Sequence, residues 1–171
     1  NLMHTDYKAF VSSTYLDLKD HRAHVIRELR DAGFFVDPME NWTSAADEPK
    51  ELSTRRLEGC HLCVLLIARR RGHVPAGAEL SITQLEYEEA KRRHIDVLAY
   101  LLDDNADGWP AEFDELASDD ELRRWRSDVK QKHSSPKTFK KTPSTLHIAP
   151  ALTRWVKETG PKVALRLYLD C

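Results

Sequence analysis

Among the side chains of this sequence whose type could do chemistry is the Glu86 carboxylate. It stands in Ser81-Ile82-Thr83-Gln84-Leu85-Glu86-Tyr87-Glu88-Glu89, where helical spacing puts 86 and 89 on one face and turns 88 away. A carboxylate beside a cleft can act as nucleophile or general base. On spacing alone, however, a cluster of glutamates in the first half of a helix is usually surface charge that offsets the helix dipole. Ser12-Ser13-Thr14 offers hydroxyls and backbone N–H groups where a strand gives way to a helix, a setting that binds phosphate or simply caps the helix. No glycine there opens the backbone to a phosphate, so a P-loop is not indicated. Arg69-Arg70-Arg71, on another loop, would suit phosphate contacts.

Other reactive residues have plainer readings. Cys60-His61-Leu62-Cys63 has the spacing of a zinc half-site but lacks a second ligand pair, so both cysteines are expected to pack and no metal is expected. His61, His73 and His94 read as surface or loop residues. The segment from Arg123 to Lys141 holds eight Lys or Arg against the single acid Asp128. Without regular spacing or a reading helix it is expected to be a solvated edge or a contact with a neighbouring domain, and nucleic acid is not an expected partner.

Positioning these residues requires a strand-and-helix scaffold, and the pattern supplies one. Tyr7–Val11 reads as a strand, Leu16–Leu29 as a helix stopped by Gly33, and Phe34–Val36 as a second strand. Residues 37–49 form a loop and Pro49–Cys60 a helix. Leu62–Ala68 is apolar without alternation, as a strand covered on both faces must be. After a loop over 69–80, a helix runs from Ser81 to about Arg93, and Ile95–Leu102 is the fourth strand. Glu112–Gln131, with scattered apolar positions, reads as an edge helix or insertion. Lys137-Thr138-Phe139 is a fifth strand, and Ile148–Glu158 is a closing helix ended by Gly160-Pro161. Strands alternating with single helices predict an α/β fold with a doubly wound, mostly parallel sheet and a helical C-terminal extension. Loops 12–15, 39–42 and 69–81 should then share a cleft at the strands' carboxyl ends. Ser12, Ser13, Thr14, Glu40, Trp42, Arg71 and Ser81 are the candidate ligand contacts there, with Glu86 as the candidate catalytic group.

The 171 residues fit one domain, with a core over about 7–102 and a helical part over about 110–171. The apolar stretch Val163–Leu169 suits a piece of a larger protein. With 41% hydrophobic and 32% charged residues the chain reads as a folded, water-soluble protein. A net charge of −2 gives no global field toward nucleic acid or anionic lipid. The longest apolar run, Leu62–Ala68, is far short of the roughly 20 residues that span a bilayer. An odd count of three cysteines suits a reducing compartment, so a cytoplasmic location without membrane contact is expected.

Ala9-Phe10-Val11-Ser12-Ser13-Thr14-Tyr15-Leu16-Asp17-Leu18 with Arg22, Met39-Glu40, and Ser81 to Tyr87 with Ala90 together resemble a known family. The resemblance is to the TIR-related domain of unknown function termed DUF4062, often found ahead of STAND-type NTPase and repeat modules. It runs over about 7–102 and continues more weakly from Phe139 to Trp155. It implies a flavodoxin-like sheet akin to TIR domains and nucleoside deoxyribosyltransferases, in which a helix-borne glutamate, here Glu86, attacks or stabilises a ribosyl C1′. Ser12 and Ser13 would touch ribose or phosphate. Where the family usually has Tyr-Gly, this chain has Arg71-Gly72.

Three functions follow from that resemblance. The first is a signalling or defence module working by protein interaction or nucleotide sensing, with other domains of its parent protein and copies of itself as partners. The second is an enzyme that cleaves NAD or a related nucleotide at its glycosidic bond through Glu86, with the nucleotide as substrate and no bound cofactor. The third, a deoxyribosyltransferase, would draw on Asp37 with Asp103 for base recognition.

Overall fold

A computed structural model describes residues 7–37, 55–133 and 137–169, with side chains described as far as residue 159. Its centre is a parallel sheet of four strands in the order β1 (Ala9–Ser12), β2 (Leu62–Ile67), β3 (Asp96–Leu102) and β4 (Lys137–Phe139). Every residue of β2 is buried, as its uninterrupted apolar sequence requires of a strand covered on both faces. The expected second strand shrinks to one parallel bridge, Lys8 with Phe35, on the free edge of β1. Ala9 N donates to Phe35 O at 2.9 Å and Phe35 N to Tyr7 O at 2.8 Å. Counting that segment, the spatial order is second, first, third, fourth, fifth, which is the flavodoxin-like winding with its switch point between β1 and β2.

Helices cover both faces. On one, α1 (Lys19–Asp31) lays Val25, Ile26 and Leu29 against Val11, Val64, Leu66 and Tyr100. The closing helix α4 (Ala149–Leu169) adds Leu152 and Trp155 to the same core. On the other face, α2 (Ile82–Arg92) contributes Tyr87 and α3 (Asp120–Lys132) contributes Leu122, Trp125 and Val129 against Leu65, Ile67, Ala99 and Leu101. Cys60 and Cys63 are buried and pack with Phe10, Leu57 and Ala90.

Several boundaries differ from the pattern reading. The helix expected over 112–131 begins at Asp120, after a 3₁₀ turn at Ala111–Phe113, because the Asp119 side chain accepts from Leu122 N at 3.1 Å and caps it. It is no edge element: residues 122, 125 and 129 form a helical stripe that fills one face of the sheet. The closing helix does not stop at Gly160-Pro161 but continues to Leu169; a proline removes one helical hydrogen bond without compelling a break. Ser12-Ser13-Thr14 does not cap α1, which starts at Lys19 after a turn closed by Leu18 N to Tyr15 O at 3.1 Å and has no side-chain cap. His61 is half-buried rather than surface, its Nδ1 accepting from Lys8 N at 3.0 Å. Of the helix expected over 49–60, residues 49–54 lie outside the described residues, and 56–59 are turn rather than helix. No helix among the described residues is long and apolar enough to cross a membrane.

Candidate functional site

The sheet ends β1 at Ser12 and β2 at Ile67 and thereby opens the switch point, where ligands of open α/β sheets bind. Ser12 is fully buried, and its Oγ donates to Glu86 Oε1 at 2.8 Å. Glu86 itself is only 4% exposed. The dipole-balancing alternative therefore fails for this residue: α2 turns Glu86 inward under the end of β1. Its neighbours behave as surface charge. Glu88 pairs with Lys91 at 2.9 Å, while hydrogen bonds from Arg92 and Arg93 hold the Glu89 carboxyl down to about 2.

What fixes Glu86 is the start of α2. Ser81 is fully buried and forms a capping box, its Oγ accepting from Gln84 N at 3.3 Å while Ser81 N donates to Gln84 Oε1 at 2.9 Å. The Ser81 hydroxyl proposed as a ligand contact is thus engaged in holding the helix that carries the carboxylate. Ser13 Oγ donates to Thr14 O at 2.7 Å, and Arg22 Nη1 donates both to Ser13 Oγ and to Val11 O, each at 3.1 Å. Arg22 on α1 therefore ties down the end of β1, the physical reason an arginine stands there.

Loops 12–15 and 69–81 do meet. Gly72 has φ +87°, and a Cβ on it would lie 2.8 Å from Thr14 Cγ2. Gly72→Ala is therefore expected to cost about 2–3 kcal/mol in strain and overpacking, read as a lowered denaturant midpoint. Adding Thr14→Ser, which removes that methyl, should recover the steric part. Arg71 does not face the cleft as a free cation: its Nε donates to Asp119 Oδ2 at 3.0 Å. Arg69 pairs with Asp114 at 3.0 Å, and Arg70 reaches Asp17 at 3.5 Å and Glu115 at 3.8 Å. The arginine triplet thus fastens this loop to the segment before α3. Glu40 and Trp42 lie outside the described residues.

Asp17, in the turn between Ser12-Ser13-Thr14 and α1, escaped the sequence reading. Its side chain is fully buried beside Arg70. Burial pushes its carboxyl above the ordinary range, against the opposing pull of the Thr14 hydroxyl and Arg70. An acid whose folded value is raised favours folding in its protonated form, below its unfolded value, and loses that contribution as pH rises through the folded one. At neutral pH the ionised group is a net cost, so Asp17→Asn is expected to raise the thermal midpoint at pH 7. The gain should vanish in acid, as scanning calorimetry at both pH values would show. Asp37 and Asp103 are not brought together. Their elements are separated by β1 and β2, three strand spacings or about 14 Å.

Fold and site together define a flavodoxin-like α/β domain with a buried serine–glutamate pair at its switch point. Over residues 8–148 the sequence matches DUF4062, described as a domain of unknown function, and the chain belongs to that family. Among solved structures it is similar to the TIR domains of an assembly described as the activated Roq1 resistosome directly recognizing the pathogen effector XopQ. That similarity has 15% identity and a TM-score of 0.49, over 90% of this chain and 99% of the other. Among curated proteins none is significantly similar.

Proposed function

We propose that this chain is a TIR-type signalling or defence module that senses a nucleotide at the Ser12–Glu86 pair and passes the bound state to other domains of its parent protein. The observation that carries the reading is Glu86: a carboxylate only 4% exposed, placed by a capped helix against the Ser12 hydroxyl at the carboxyl end of β1. A buried carboxylate is costly to a fold, and such groups cluster at functional sites. A ribose hydroxyl can donate to the carboxylate and a nicotinamide ribosyl cation can be stabilised by it, so the pair suits the sugar of a nucleotide. Sensing requires only that the nucleotide bind. Hydrolysis at the glycosidic bond is the second reading, favoured by the same burial, because a desolvated carboxylate acts more strongly on an oxocarbenium-like centre. Titrating the purified chain with NAD and adenine nucleotides, at high protein concentration and with free nicotinamide followed in parallel, tests both. Binding without nicotinamide release supports sensing, and release supports hydrolysis. Absence of both binding and release would refute the proposal.

A further inference from the structure

β4 pairs Lys137, Thr138 and Phe139 with Tyr100, Leu101 and Leu102 of β3. Beside this part of the sheet lies a notch, a cavity of about 300 Å³ floored by Val97, Leu98 and Ala99 and rimmed by Lys132, His133, Lys137 and Arg154. These four groups arrive from α3, its carboxyl cap, β4 and α4. β2 and β3 lie between this notch and Ser12, so it is separate from the Ser12–Glu86 site.

The notch is positive and uncompensated. Among the described residues no acid pairs with Lys132, Lys137 or Arg154. Of the acids nearby, Glu88 is paired with Lys91, Asp96 accepts from Trp155 Nε1 at 2.8 Å, and Asp128 and Glu158 stand one helical turn from Lys132 and Arg154 with no ion pair to them among the described residues. The carboxyl end of α3 brings roughly half a negative charge, which offsets only part of one cation. Burial, and then Arg154, push the Lys137 ammonium below its ordinary value. Burial, Lys132 and Lys91 do the same to His133, whose Nε2 meets Tyr87 Oη at 3.1 Å. Like charges held together without a counterion are a standing cost that a bound anion removes.

We propose that this notch binds a small phosphorylated molecule, its phosphoryl oxygens held by Lys132, Lys137 and Arg154 and its apolar part resting on Val97–Ala99. Three cations match the multiple charge of a phosphoryl group better than the single charge of a carboxylate. The volume is that of a small-molecule site. A nucleic-acid surface would continue along the segment, whereas Arg123 pairs with Asp120, Arg124 with Glu121 at 3.5 Å and Lys130 with Asp104 at 3.1 Å.

Pyrophosphate titrated calorimetrically into the 171-residue chain at low ionic strength should bind saturably and weaken as salt is added. Lys137→Gln and Arg154→Gln should each weaken it by about tenfold or more, since each removes a charge-assisted hydrogen bond. Lys130→Gln, whose side chain faces Asp104 outside the notch, should leave it unchanged, and Lys137→Arg should retain most of it. Absence of saturable binding overturns the proposal, as does an equal loss in Lys130→Gln. So does a single-stranded oligonucleotide bound more tightly than pyrophosphate through the same residues.

Discussion

Replacing Arg126 by methionine should lower the unfolding free energy by about 3 kcal/mol, a drop of roughly 6–12 °C in thermal midpoint for a domain of this size. Arg126 is 4% exposed, yet its guanidinium is ringed by acceptors. Nη1 donates to Ala68 O at 2.6 Å and Ile67 O at 3.3 Å, and Nη2 to Leu102 O at 3.0 Å and Asp104 Oδ1 at 3.1 Å. These carbonyls end β2 and β3, where the chain leaves the sheet and the ladder can no longer satisfy them. Methionine keeps an apolar side chain of similar length, but the carbonyls lose their donors, and buried acceptors without partners carry most of the penalty. Lys at this position keeps the charge but not the planar fork, so it should recover less than half of the loss. A denaturant series on wild type, Met and Lys variants checks the order. If Arg126→Met were as stable as wild type, the clamp would be ornamental and water would be serving those carbonyls.

Arg126 also shows where sequence reasoning stops. The five strand segments, their parallel order and the two-sided burial of β2 were legible, because a continuous apolar run and its alternation with helices leave few other arrangements. The carboxylate on α2 was legible by type and by the Ser81–Gln84 capping signature. That Glu86 is buried was not: helical spacing sets Glu88 apart but leaves Glu86 and Glu89 on one face, and only the pairing of β1 with β2 brings Ser12 to one of them. Within Arg123 to Lys141 the sequence could not tell charges paired along the helix from Arg126, which turns inward, or from Lys137, which rims a cavity. Asp17 escaped for a related reason, since an acid in a turn reads as solvated unless a partner such as Arg70, 53 positions away, is known to cover it.

Glu86→Gln should reduce nucleotide binding, or nicotinamide release if the domain proves hydrolytic, by an order of magnitude or more. Glu88→Gln should leave both unchanged. Glutamine keeps the shape and can still accept the Ser12 hydrogen bond through its amide oxygen, so the carboxylate's charge is what the change removes. Its amide N–H groups, however, enter a site that had held an acceptor, and one of them left unsatisfied costs about 1–3 kcal/mol. A modest loss of stability is thus expected at position 86, and binding must be measured well below the variant's thermal midpoint. Glu88 provides the control by position: two residues on, it points about 200° around the helix, is exposed, and pairs with Lys91. Ser12→Ala separates charge from orientation. It removes the hydroxyl that aims Glu86 but leaves the carboxylate, so a nucleotide site should weaken by less than in Glu86→Gln, whereas a purely structural pair should respond equally to loss of either partner. If Glu86→Gln loses stability but binds nucleotide like wild type, Glu86 belongs to the scaffold, and sensing must be sought elsewhere on the sheet.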